Sequence, residues 1–160
     1  MVEAPGADLA LLLLRGFHSM TDEVIVGLAG SGHEGVSAAH AFAIEAIDQG
    51  ADTASELGRR LSVSKQAAAK TIAALQQLGY VDREDDPSDA RRKRVKVTPR
   101  GHEMLTIGRG LFDKVRDRWA NEIGVQQLKA LEAQLAQLTK RRPFSTDDVA
   151  RMDERLGEKI

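Results

Sequence analysis

No cysteine occurs in the chain, which excludes a disulfide framework and any switch built on a thiol. Aromatic side chains are scarce, with one tryptophan, one tyrosine and four phenylalanines among 160 residues. Long apolar runs are missing as well. The stretch Leu9–Leu14 is far short of a membrane span and is closed by Arg15. No signal-peptide pattern opens the chain, so it reads as cytoplasmic, with no membrane partner. There is no G-x-S-x-G nucleophile elbow, and Gly30-Ser31-Gly32 lacks the lysine of a phosphate-binding loop and reads as a turn. The four histidines, 18, 33, 40 and 102, have no metal-ligand spacing. These absences leave a non-enzyme without cofactor or assigned metal. A metal-responsive protein built on His33, His40 and His102 is a lesser alternative.

The informative part of the chain runs from Thr53 to Gly101. Thr53 and Glu56 have capping-box spacing, and Leu57 and Leu61 share a helical face from which Arg59 and Arg60 turn away. Ser62-Val63-Ser64 breaks the helix, with Val63 set between helices and Ser64 as the next N-cap. A second helix over Lys65–Leu78 buries Ala68, Ile72 and Leu75, and Gly79 ends it with positive φ. At about 1.5 Å per residue it is roughly 20 Å long, a fit for the major groove. Its outward residues are Lys65, Gln66, Ala69, Lys70 and Ala73. Glutamine can bond adenine twice, lysine can reach guanine or phosphate, and alanines allow close approach. Taken by itself, such a face also suits a solvated alanine-rich helix.

The next element decides between these readings. Tyr80–Glu84 reads as a strand, Asp85–Asp89 as a turn, and Arg92–Thr98 as the return strand. The tip and return strand hold Arg91, Arg92, Lys93, Arg94 and Lys96, cations that repel one another unless an anionic partner is present. Arg91 is placed to enter a minor groove, with Asp89 holding it by a charge-assisted hydrogen bond. Between Arg59 and Arg100 there are eleven basic and five acidic residues, a net of +6 in a chain whose total is −1. A segregated basic block implies a polyanion partner. The order helix, turn, helix, basic hairpin is that of a winged helix-turn-helix reading double-stranded DNA. The DNA-contact candidates are Ser64, Lys65, Gln66, Ala69, Lys70, Asp89, Arg91, Arg92 and Arg94.

These residues resemble the MarR (multiple antibiotic resistance regulator) family. The matching features are the frame from Ser64 through Leu75 and Gly79, Tyr80-Val81 with Arg83, Asp89-Ala90-Arg91, and Val97-Thr98-Pro99-Arg100-Gly101. A departure is Val36-Ser37-Ala38-Ala39-His40, where the family's second helix commonly opens rich in threonine. The resemblance implies a mainly α fold with a small β-hairpin wing, flanked by N- and C-terminal helices that interlock across a two-fold axis. It also implies a repressor released by a small aromatic or phenolic acid, bound where the DNA lobe meets the dimerisation helices. Phe17, His40, Phe42, Met104 and Phe112 are the candidates to line that crevice, and each suits a core position equally.

The flanks fit such a plan. Leu9, Leu13, Phe17, Met20, Val24 and Leu28 form one helical stripe, and Ser37–Ile47 reads as a second helix. Thr98-Pro99 opens a long helix to about Glu122, and Gly124 separates it from Leu128, Leu131, Leu135 and Leu138. So many terminal apolar helices with so few aromatics gain most from pairing with a second copy. The organisation is a single 160-residue unit: dimerisation helices over 7–35 and 99–140, the DNA-binding lobe over 36–98, and an extension over 141–160 with one short helix. A homodimer implies a pseudo-palindromic operator. The alternative is a winged-helix interaction or architectural module, which does not need a groove-reading face.

Overall fold

The computed structural model describes residues 4–139, apart from the side chains of residues 90–92. The expected extension over 141–160 lies outside the described residues. The element order is α1 (Pro5–Gly30), α2 (Ala38–Asp48), α3 (Ala54–Leu61), α4 (Lys65–Gln77), β1 (Val81–Asp86), β2 (Asp89–Val97), α5 (Pro99–Ile123) and α6 (Val125–Thr139). The fold is mainly helical with a two-stranded antiparallel hairpin, the class read from the sequence.

Local chemistry sets these boundaries. Prolines occupy the first turn of α1 and α5, where a missing N–H costs nothing. Thr98 caps α5 by accepting the Gly101 N–H at 3.1 Å. Gly124, at φ +97°, separates α5 from α6. The core gathers where α2, α3, α4 and the hairpin base meet α1 and α5, around Leu28, Ile44, Leu57, Ile72, Leu75 and Tyr80. Gly101 allows a close backbone approach: a Cβ there would collide with the Tyr80 carbonyl oxygen.

Two polar ties join the lobe to the long helices. His33 is buried, with Nδ1 3.1 Å from the Tyr80 hydroxyl and Nε2 3.8 Å from a Glu103 carboxylate oxygen. Arg100 lies over the Tyr80 ring, 5.2 Å from its centre, and donates to the Gly32 carbonyl at 2.9 Å. On the other side Arg109 of α5 donates to both Glu45 carboxylate oxygens at about 3 Å and to Asp48 at 3.2 Å. His102 Nδ1 is 3.4 Å from Asp48.

One expectation is corrected here, in the hairpin. Along α1, Thr21, Val24 and Leu28 are buried, whereas Leu9, Leu11, Leu12 and Leu13 are 48–63% exposed. Among the described residues, the first turns of that helix are left largely uncovered. The hairpin is tighter than read. Asp85 and Asp86 continue β1, only Pro87 and Ser88 form the turn, and Asp89 already belongs to β2. The register pairs Asp86 with Asp89 but Asp85 with Lys93, so residues 90–92 form a bulge.

Candidate nucleic-acid interface

The helix-turn-helix is built by side chains that satisfy backbone ends. The Thr53 hydroxyl accepts the Glu56 N–H at 3.1 Å, but Glu56 pairs with Arg59 at 3.5 Å. The reciprocal capping box forms instead at α2: Ser37 Oγ accepts the His40 N–H at 3.2 Å, and His40 Nδ1 accepts the Ser37 N–H at 3.4 Å. Ser62 closes α3 in the left-handed region at φ 53°, and Ser64 Oγ accepts the Ala67 N–H at 3.0 Å to start α4. Gly58 makes the turn possible, because a Cβ there would sit 2.9 Å from the Val63 carbonyl oxygen.

This packing turns one face of α4 outward. Ala68, Ile72 and Leu75 are buried, while Ser64, Lys65, Gln66, Lys70 and Ala73 are exposed and Ala69 is half-buried. The side chains of Lys65 and Lys70 make no ion pair among the described residues.

The hairpin changes the meaning of its charge. Cross-strand pairs join Lys93 to Asp85 and Lys96 to Glu84, the second at 3.6 Å. The crowding of cations is therefore relieved in part by the acids of β1, of which Asp85 had been read into the turn. Arg94 has partners within the protomer. Its Nε lies 2.9 Å from Asp86 and 3.5 Å from Asp52, so it braces the hairpin against the segment before α3. The Asp86 carboxylate is almost wholly buried and accepts the Ser88 N–H at 2.8 Å and the Ser88 hydroxyl at 2.6 Å. Those bonds, more than the burial that opposes them, lower its pKa to about 2, and the Arg94 guanidinium adds to the effect. Asp89 is exposed at the start of β2. The side chains of Arg91 and Arg92 lie outside the described residues.

A residue absent from the sequence-based contact list emerges beside them. Arg83 of β1 shares a cleft of about 310 Å³ with Lys65, Lys93, Thr53 and Ser55, floored by Ile72 and Val95. Alternation along β1 places Arg83 opposite Val95, on the same hairpin face as Lys93. Counting charges by segment could not show that convergence.

The crevice residues are divided between two clefts. Phe42, Met104 and Phe112 line one of about 220 Å³ between α1, α2 and α5, with Arg109 and Glu45 at its edge. Phe17 lines a neighbouring cleft of about 420 Å³ and stacks on Phe42 with ring centres 6.4 Å apart. His40 lines neither, because its ring serves the α2 cap, and burial holds its pKa below the ordinary histidine value. His33, His40 and His102 each have separate partners, and no cluster of three metal-ligating side chains exists among the described residues. No helix among those residues is long and apolar enough to cross a membrane.

A helix-turn-helix followed by a braced hairpin defines the winged-helix class. Residues 34–92 match the model of the MarR family. The HTH-type transcriptional regulator BilQ of Clostridioides difficile is 31% identical over 68 residues, covering 42% of this chain and 43% of that relative. The match thus spans less than half of that relative's own length. Among solved structures, the MarR family transcription regulator SP03579 superposes with TM-score 0.69 at 24% identity, covering 92% of this chain and 91% of that one. Streptococcus pneumoniae FabT, in complex with DNA, gives TM-score 0.71 at 18% identity over 84% of this chain and 94% of that one. These likenesses show the fold. Residues 34–92 are thus similar to the MarR family, and the solved structures extend the likeness of fold to most of the chain.

Proposed function

We propose that the chain is a sequence-specific, double-stranded DNA-binding transcription regulator that works in the cytoplasm as a homodimer. The observation that carries this reading is the outer face of α4, where Gln66 and Lys70 are exposed beside Ala69 and Ala73. That combination offers hydrogen-bonding groups on a helix whose axis can come close to base edges. Support for the dimer comes from the exposed apolar residues at both ends of the chain, Leu9, Leu11, Leu12 and Leu13 on α1 and Leu131 and Leu138 on α6. In this reading the dimer represses from a pseudo-palindromic operator and is released by a small aromatic effector. The apolar clefts lined by Phe17 and by Phe42, Met104 and Phe112 support that part.

The test is selection of duplexes from a random pool by the full chain, followed by gel shift with specific and non-specific competitors. Enrichment of a two-fold symmetric motif supports the reading. Equal retention of all duplexes points to an architectural module instead. A panel of aromatic carboxylic acids, added to the selected complex, tests release.

A further inference from the structure

We propose that the cleft between α3, α4 and the hairpin seats one backbone phosphate of the duplex, with Lys65 and Arg83 as its principal ligands. The inference rests on the DNA-binding reading and goes beyond it by assigning a phosphate site. Three cations from three different elements converge there: Lys65 from α4, Arg83 from β1 and Lys93 from β2. Of these, Lys93 has Asp85 as a partner, whereas no carboxylate among the described residues pairs with the side chains of Lys65 or Arg83. Most neighbouring cations are matched internally, Arg59 by Glu56, Arg94 by Asp86 and Asp52, and Lys96 by Glu84. Two unmatched cations facing one concavity mark where an external anion fits.

Lys65 is also the first residue of α4, at the positive end of the helix dipole, where a cation is disfavoured unless an anion sits nearby. The buried side chains of Ile72 and Val95 form the floor, which reduces screening of the charges above it. Thr53 and Ser55 add hydroxyl donors at the rim. A single phosphate oxygen cluster satisfies all of these groups together. Because the seat lies between the recognition helix and the hairpin, filling it fixes the register of both on the duplex without reading a base.

The experiment uses the full chain and duplexes it selects from a random pool. Arg83→Gln is expected to weaken selected and random duplexes by the same factor and to reduce the slope of log K against log salt by about one. Arg83→Lys should keep the slope. Replacing single linkages of the selected duplex with neutral methylphosphonates should reveal one per half-site that weakens the parent but is silent with Arg83→Gln. The seat is overturned if Arg83→Gln keeps the parent's salt slope, if it alters base preference, or if every neutral linkage affects variant and parent alike. If the parent selects no duplex at all, the regulator reading itself falls, and the seat with it.

Discussion

Asp86 shows how one buried carboxylate can organise a binding surface it does not touch. Its oxygens hold Ser88 at the turn and Arg94 across the strand, and Arg94 reaches on to Asp52. Replacing Asp86 with Ala should cause a several-fold loss of DNA affinity with unchanged base preference. Arg94→Ala should do the same, and the double variant should be no worse than either single one, as expected of residues acting as a unit. Additive losses in a gel-shift titration would mean that Arg94 contacts DNA directly. The sign of the pH dependence follows from the depressed Asp86 pKa. Its contribution is complete above the ordinary value of 3.8 and is lost as pH falls toward about 2. His40 acts nearer neutrality. The folded protein resists protonating it, so the unfolded chain binds more protons below about pH 6.5 and stability should fall there. His40→Gln keeps a group able to accept the Ser37 N–H while removing the titration, and urea midpoints at pH 5.5 and 7.5 should then differ less than in the parent. At the recognition face, Gln66→Ala should change which duplexes are selected. An unchanged motif would place sequence reading elsewhere, such as in DNA shape.

Among the elements, α4 depends on its cap and on Gly58, and α5 on Gly101. Ser64→Ala removes the acceptor for the Ala67 N–H and should cost about 1 kcal/mol in a denaturation experiment. Gly58→Ala and Gly101→Ala place a methyl against backbone oxygens, and each should cost about 1–3 kcal/mol or more. A neutral result at Gly101 would show that α5 can shift away from the Tyr80 carbonyl. Much of this architecture was legible in the sequence because short-range chemistry determined it. Ser64, Thr98, Gly79 and Gly124 mark ends that the structure places within a residue or two, and the burial of Ala68, Ile72 and Leu75 follows from helical spacing. The hairpin was misread where tertiary contact overruled composition: Asp85 and Asp86 resemble turn residues, yet Arg94 and Ser88 make a strand position for Asp86 stable. Arg83 and Arg94 show the same limit for the site. Both are basic and close in sequence, and only the register decides that one shares a cleft with Lys65 while the other is committed to Asp86.

At the scale of the whole molecule, the apolar ends of α1 and α6 make assembly the main open quantity. Leu13→Asp or Leu135→Asp introduces a charge on those terminal stripes, and in an interface such a charge has no partner. Monomer or insoluble protein without operator affinity is the expected result by sedimentation at micromolar concentration. If the parent dimerises through these helices, its half-sites should lie about 10 bp apart, roughly 34 Å. A parent that sediments as a clean monomer and still grips one half-site tightly would remove this model. The tie between His33 and Tyr80 bears on how such a dimer would present its two lobes. Tyr80 lies three residues beyond the end of α4, and its hydroxyl meets the His33 ring just beyond α1, while Arg100 of α5 lies over the tyrosine ring itself. The lobe therefore has no free swivel. Any turn of α4 relative to the long helices must first undo a buried hydrogen bond and slide an arginine off an aromatic face. In the proposed dimer the spacing between the two α4 helices would thus be inherited from the helical frame, and His33, set away from α4, would help determine which operators are within reach.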